Sequence, residues 1–128
     1  MFNHIFLGSN DLAAAREFYD AVFAAMGYTG EPTVTTGPGR LIYRHKGATL
    51  GLVEPIDGEP ASICNGGTIG LICDSADQVD AWHAAGLAHG GTAIEDPPGP
   101  RQTPAGPMYL AYLRDPDGHK LCALYRQG

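Results

Sequence analysis

His4 is the residue of this sequence with the clearest capacity for chemistry. Residues 2–7 alternate as a strand does, so that Phe2, His4 and Phe6 share one of its faces. An imidazole on such a face can act as a general base or bind a metal ion. It can equally be a half-buried strand histidine that is hydrogen-bonded to a backbone carbonyl, and the residues alone leave both interpretations open.

Four further side chains could contribute to a site. Cys122 could supply a thiolate, but it has no basic neighbour in sequence, so a small apolar core residue is the alternative. Arg101 lies in a proline-rich segment, 95–107, where its planar guanidinium group could bind an anionic ligand or remain solvated. Tyr109 and Tyr112 occupy a predicted strand on which aromatic side chains could line a cleft or simply pack.

The other histidines and the common catalytic motifs give no site signal. His45 and His119 flank two predicted hairpin turns, and His83 and His89 belong to a predicted helix and its exit, so we expect all four at the surface. The signatures of serine hydrolases, zinc proteases, P-loop proteins and dinucleotide-binding folds are absent, and no carboxylate pair has glycosidase spacing. These enzyme classes are therefore excluded.

Composition narrows the class of protein further. The chain of 128 residues has the length of one ordinary domain and can bury a core without disulfides or a structural metal. With a net charge of −6 and a pI of about 5.1, the protein lacks the positive electrostatic field that nucleic-acid binding requires. No apolar stretch is long enough to span a bilayer. Three cysteines without a CxxC pair suit reduced thiols, and the sequence opens without a signal-peptide pattern. We expect a soluble cytoplasmic protein without nucleic-acid or membrane partners.

The first half of the chain reads as a strand, a helix and a hairpin. After the strand 2–7, Asp11 can cap a helix whose apolar stripe runs to Met26, where Gly27 supplies a stop. A turn-rich stretch leads to two short strands, 40–44 and 48–54.

The second half repeats this order. A strand begins at Thr68, and Ser75 with Gln78 forms a capping-box signature that opens a helix over 76–85. The segment 95–107 is interrupted by so many prolines that it is predicted to be a loop over some surface. A second hairpin follows, with strands 108–114 and 119–126 around a DPDG turn.

The two halves align as copies of one unit. One offset places residues 4–7 over 68–71, Asp11 over Ser75 and Phe18 over Trp82, and seven extra residues in the second copy then place 50–51 over 121–122. We predict a single domain over residues 1–128, with module 1 at about 1–56 and module 2 at about 67–128. The fold class is α+β: two tandem βαβββ modules form one curved mixed sheet, with both helices on its outer face.

This layout resembles the glyoxalase, bleomycin-resistance and extradiol-dioxygenase superfamily, also called vicinal oxygen chelate proteins. The likeness covers nearly the whole chain, and its most specific piece is RDPDGHKLCAL near the end, supported by FLGSNDLAAAREFYDAVFAAMGY near the start. The resemblance implies a cleft for a small molecule on the concave face of the sheet. In the enzymatic branches it also implies a divalent metal that chelates two neighbouring substrate oxygens and acts as a Lewis acid.

Only one of the four metal-ligand positions implied by the resemblance carries a family ligand. That residue is His4; the others fall on Gly51, Thr68 and Cys122. A catalytic site needs about three protein ligands with one position open, so the cofactor is either absent or a divalent metal held in an altered way. His4 is accordingly the candidate catalytic residue and the one matching metal ligand.

We expect the cleft to be lined by candidate substrate-binding residues from both halves: Phe2, Phe6, Thr68, Arg101, Tyr109, Tyr112 and Cys122. Three functions remain open. The first is a lyase or isomerase that acts next to a carbonyl, the second is a binding protein that sequesters its ligand as bleomycin-resistance proteins do, and the third is an extradiol-type dioxygenase. The partners implied are a small-molecule ligand and a second copy of the chain in a homodimer.

Overall fold

A computed structural model describes residues 1–127, so the predicted end of module 2 at residue 128 lies outside the described residues. The first half forms one sheet with strand order β1-β4-β3-β2 and one helix. In chain order its elements are β1 (His4–Gly8), α1 (Leu12–Ala25), β2 (Thr33–Thr35), β3 (Arg40–His45) and β4 (Ala48–Val53).

The second half forms another sheet, with order β5-β9-β8-β6 and with β7 also paired to β8. Its elements are β5 (Ile69–Ile72), α2 (Ala76–Ala88), β6 (Thr92–Ala93), β7 (Gly99–Thr103), β8 (Gly106–Arg114) and β9 (Lys120–Arg126). The predicted α+β class with two similar modules is confirmed. Its curved layer consists of two hydrogen-bonded sheets, since no ladder joins β1 to β5 anywhere in residues 1–127.

Strand register shows that the two halves are built alike. The first strand of each pairs in parallel with the last: Phe6 lies opposite Gly51 and Gly70 lies opposite Cys122. These pairs are the ones that the sequence alignment of the two halves places over each other. Residue-by-residue equivalence therefore holds for the first strand and for the last strand of each module.

Both helices begin where the capping residues predict. The Asp11 carboxylate accepts from the backbone N–H of Ala14 at 3.0 Å, and the Ser75 hydroxyl accepts from that of Gln78 at 3.1 Å. Gln78 in turn accepts the N–H of Asp74, which completes the capping box. Helix α2 runs three residues beyond its predicted end at 85.

The larger apolar cluster is formed by both helices and by the faces of the two sheets that pack against them, and a smaller one, with Met108, Leu110 and Cys122, lies on the other face of module 2. Phe18, Tyr19 and Val22 of α1 lie beside Val79 and Trp82 of α2 and are all fully buried. No helix in the described part of the chain is long and apolar enough to cross a bilayer.

The prediction of a loop over 95–107 is wrong, because β7 and the start of β8 lie there. Pro100 and Pro107 both take part in the antiparallel β7–β8 pairing. Strand β7 lies at the edge of its sheet, where a proline costs no ladder hydrogen bond on the solvent side. The first strand also starts at His4, so that Phe2 precedes it and is 78% exposed.

Candidate functional site

His4 lies on the face of β1 that is turned away from the helices. Leu7, which has the opposite parity along the strand, packs against the core, whereas His4 and Phe6 are exposed. The Nδ1 atom of His4 is 2.7 Å from the Asn3 side-chain oxygen, and its ring centroid is 5.1 Å from that of Phe6. Because an amide oxygen only accepts, the neutral imidazole that makes this contact has its proton on Nδ1 and its lone pair on Nε2.

Gly51 cannot contribute a ligand, and no side chain there could fit without a change. Gly51 faces Phe6 in the β1–β4 ladder, and a Cβ atom at residue 51 would lie 2.7 Å from the Phe6 ring. The aromatic ring of Phe6 thus occupies the place that a ligand side chain would take.

Cys122 is buried and lies opposite Tyr112 in the β8–β9 ladder. Burial raises the pKa of the Cys122 thiol, although contact with Tyr112 opposes that effect. The thiol contacts the carbonyl oxygen of Ala123 at 3.6 Å. A protonated thiol of this kind is a poor metal ligand and a poor nucleophile.

The residues at the four metal-ligand positions do not fit a divalent metal. Thr68 precedes β5 and is exposed, Gly51 has no donor atom, and Cys122 is held in the thiol form. Within residues 1–127, no three His, Cys, Asp or Glu side chains are grouped so that they could hold an ion. His4 alone supplies fewer donors than a site requires.

Tyr109 and Arg101 are not brought to the face that carries His4. Tyr109 lies on the helix side of β8, where its hydroxyl donates to Asp80 of α2 at 2.8 Å. It points away from the face of Tyr112, because the two are three residues apart on one strand. The Arg101 guanidinium donates to the carbonyl of Pro97 at 2.7 Å and to that of Pro100 at 3.2 Å, so its donors already have acceptors within its own segment.

His119 is buried, which corrects the expectation that it lies at the surface. Its Nε2 donates to the carbonyl oxygen of Gly8 at 2.7 Å, and the backbone N–H of Asn10 donates to Asp117 at 2.8 Å. We call these four residues the closed joint, because they tie the β8–β9 turn of module 2 to the end of β1 in module 1. The hairpin position suggested exposure only because the sequence does not show what packs against the turn.

A buried carboxylate supports the closed joint. Asp115 accepts the N–H groups of Asp117 and His119 at 3.0 and 2.9 Å, and Tyr19 of α1 donates to it at 2.5 Å. Burial raises the pKa of the Asp115 carboxyl, an effect that the hydrogen bonds from Tyr19 and from the His119 N–H oppose. The pKa of Tyr19 is also raised, first by burial and then by the neighbouring Asp115 charge.

The main cavity lies between the modules, beside the β3–β4 turn and β5. It is not confined to the concave sheet face, because Phe23 of α1 and Tyr43 of the helix-side core also line it. Its volume is about 390 Å³. The side chains that line it come from both modules: the aromatic ones are Phe2, Phe23, Tyr28 and Tyr43, and the polar ones include His4, His45, Lys46 and Asp74. His4 is therefore among the residues that line the cavity, whereas Phe6, Thr68 and Cys122 are not.

Three aromatic rings make the inner wall of this cavity. Phe23 and Tyr43 meet edge to face at 5.0 Å, and Tyr28 and Tyr43 do so at 6.1 Å. The Tyr43 hydroxyl donates to Asp20 at 2.9 Å on the far side, so the ring presents its apolar part to the cavity. Sequence reasoning did not select Phe23 or Tyr28; helical and turn positions give no signal that they face a gap between modules.

Two similar modules surround a cavity lined by apolar side chains and a few polar groups. A family model for the Glyoxalase/Bleomycin resistance protein/Dioxygenase superfamily matches residues 1–123. The chain belongs to that superfamily.

Solved structures agree with this assignment. The chain is 48% identical to a glyoxalase/bleomycin resistance protein from Albidiferax ferrireducens T118, with a TM-score of 0.93 over 98% of this chain and 99% of the other. A glyoxalase-related enzyme from Fulvimarina pelagi is 20% identical, with a TM-score of 0.74 over 98% and 88% of the two chains. The lactoylglutathione lyase from Agrobacterium tumefaciens is 22% identical, with a TM-score of 0.67 over 98% and 92%. At these lower identities the likeness concerns the fold. No curated protein matches the sequence.

Proposed function

We propose that this protein binds a small organic molecule in the cavity between its two modules and does so without the divalent metal of the superfamily's enzymes. The observation that carries the proposal is the cavity of about 390 Å³ with His4 in its wall. Pockets that hold small ligands have volumes of about 300–1,000 Å³ and are mostly apolar with a few polar groups. Aromatic walls with polar groups near the opening match that description.

The proposal is tested by measuring how much added compounds stabilise the folded protein. A ligand at a hundred times its dissociation constant should raise the free energy of unfolding by about 2.7 kcal/mol. Thermal unfolding is therefore measured against a panel of dicarbonyl adducts, catechols, glycopeptides and small aromatic compounds. A stabilising compound should lose its effect in Tyr43→Ala and keep it in Tyr112→Ala, since Tyr112 does not line the cavity. If no compound stabilises the protein, or if the effect depends on Tyr112 instead, the proposal is wrong.

Metal independence has its own measurement. Calorimetric titration with zinc, nickel, manganese and ferrous iron should give no stoichiometric site that His4→Ala removes. This expectation follows from the donor set at residues 4, 51, 68 and 122, which offers one imidazole and one buried thiol. A stoichiometric metal that is lost in His4→Ala would contradict it.

A second candidate function, a lyase or isomerase that moves a proton next to a carbonyl, is favoured by the geometry of His4. Its Nδ1 is engaged by the Asn3 side chain at 2.7 Å, which orients the ring with Nε2 free to accept a proton. Exchange of the carbon-bound proton of an α-hydroxycarbonyl compound into deuterated water, followed by NMR, tests it. The exchange should depend on His4 and persist in His83→Ala; exchange that survives in His4→Gln would refute this role.

We also propose that the protein is a cytoplasmic homodimer. Superfamily members are often dimeric, and β2 leaves one edge unpaired with Val34 54% exposed. All three cysteines are free, which suits a reducing compartment. Light scattering coupled to gel filtration should give twice the 13.5 kDa of the chain, and a monomer at micromolar concentration would contradict the dimer.

A further inference from the structure

The main cavity and the closed joint lie at equivalent positions of the two-module repeat. The closed joint is formed by the end of β1 and the β8–β9 turn, and the cavity lies where the end of β5 meets the β3–β4 turn. Because the halves are equivalent, Gly8 corresponds to Ile72 and Asn10 to Asp74. The pairing of Gly8 with Val53 and of Ile72 with Leu124 confirms this equivalence in register.

The turn that closes the first joint has an equivalent as well. Asp117 corresponds to Lys46 and His119 to Ala48, since the last strands align with an offset of 71 residues. Both Lys46 and Ala48 line the cavity, as do Ile72 and Asp74. We call these four residues the open joint.

The open joint lacks the group that seals the closed one. At the closed joint an imidazole N–H reaches the carbonyl of Gly8 at 2.7 Å. At the open joint the same position holds the methyl group of Ala48, which is exposed and has no donor. The N–H of Asp74 is not bonded to the turn of the other module, because it donates to Gln78 of its own helix at 2.7 Å.

The backbone carbonyls of Gly8 and Ile72 both point away from the last strand of their own module and toward the other module. The N–H of the next residue, Ser9 or Cys73, bonds to the last strand of its own module, at 2.8 and 2.7 Å. Successive residues of a strand direct their backbone groups to opposite sides, so the carbonyl of the preceding residue points away from that strand. The Ile72 carbonyl has no hydrogen-bond donor among the side chains and turns described for residues 1–127.

We infer that the cavity takes a planar heteroaromatic molecule with a ring N–H, which donates to the Ile72 carbonyl as His119 does to Gly8. This inference rests on the proposed function of the cavity and specifies its ligand. The ring occupies the volume beside Ala48 that an imidazole fills at the closed joint, and the aromatic wall made by Phe23, Tyr28 and Tyr43 offers it apolar contact.

The opening of the cavity fits polar substituents on such a ring. Lys46 and Asp74 both line it, and no ion pair within 4.0 Å joins them in the described residues. A ligand can therefore place a carboxylate near Lys46 or an ammonium group near Asp74 without breaking an existing contact.

Indole and benzofuran provide a matched pair of probes, because they share size and shape and only indole has a ring N–H. Both are titrated into the intact protein, and amide shifts over residues 46–50 and 69–74 are followed by NMR. Ile72 is 70% exposed in the free protein, so its carbonyl loses contact with water only when a ligand covers it. We expect indole to bind at least about tenfold more tightly than benzofuran, since benzofuran covers this carbonyl without offering a donor.

Ala48→His then tests the place of binding. Its imidazole should reach Ile72, close the open joint and remove indole binding, whereas Ala93→His on the exposed strand β6 should leave binding unchanged. If Ala48→His does not fold, the comparison of the two probes on the unaltered protein still decides.

The outcomes separate the two proposals. Equal affinity for indole and benzofuran at residues 46–50 and 69–74 would overturn the requirement for a ring N–H and leave the cavity as the ligand site. Indole binding that survives in a folded Ala48→His would also overturn it. Absence of binding by either probe and by the whole ligand panel would overturn the proposed function itself.

Discussion

Replacement of His119 by alanine should open the closed joint and lower the stability of the protein. The imidazole is 7% exposed and its Nε2 donates to the Gly8 carbonyl at 2.7 Å. Loss of this donor leaves a partly buried carbonyl unpaired, which costs about 1–3 kcal/mol. The removed ring carbons and the void they leave add about 1 kcal/mol. The free energy of unfolding should therefore fall by about 2–4 kcal/mol in total.

Urea denaturation measures this change as a shift of the midpoint at constant m-value. His83→Ala on α2 is the control, because no hydrogen bond of its side chain joins the modules in the described part of the chain, and it should change stability by less than about 0.5 kcal/mol. Added imidazole should restore part of the stability of His119→Ala, whereas 1-methylimidazole, which has no ring N–H, should not.

Two results would refute this reasoning about the joint. One is a loss of less than about 0.5 kcal/mol in His119→Ala, which would mean that the hydrogen bond contributes nothing net. The other is equal rescue by imidazole and 1-methylimidazole, which would show that the void is filled for its volume alone.

Further predictions concern packing and the thiols. Gly86→Ala places a Cβ atom 2.2 Å from Leu113 Cδ1 in the core. The cost of overpacking, about 1–3 kcal/mol, should exceed the gain of about 1 kcal/mol in helix propensity. Urea denaturation should therefore show a net loss of stability, and a net gain would contradict the close packing of α2 on β8. Burial raises the pKa of Cys73 to about 11 and that of Cys122 above its usual range, whereas Cys64 is exposed. A thiol reagent at pH 8 should accordingly label one cysteine rapidly in the native protein and three after unfolding, as counted by mass spectrometry; rapid native labelling of Cys122 would show that its thiol is accessible.

Much of the fold was predictable because its signals are local. The caps Asp11 and Ser75 mark both helix starts through short-range hydrogen bonds, and the repeat predicts the equivalent pairing of Gly51 and Cys122 with their first strands. Strand β7 was not predicted, because prolines indicate a loop unless the segment is known to lie at a sheet edge.

The site was less predictable because it depends on contacts between the modules. His4 was selected from strand parity, and the cavity wall includes it. The burial of His119 and the orientation of Tyr109 depend on what the other module or helix α2 places against them. The aligned halves differ at one informative pair of positions. The first half has Ala48 where the second half has His119, and this difference distinguishes the open joint from the closed one.

Mapping of a bound ligand tests the central claim most directly. A compound that stabilises the protein is titrated into an isotopically labelled sample, and the perturbed amides are located on the sequence. Binding between the modules predicts that the largest changes fall in residues 2–5, 45–50 and 69–74, with no requirement for added metal. Changes centred instead on Tyr112, Lys120 and Cys122, on the sheet face of module 2 that is turned away from the helices, would contradict it.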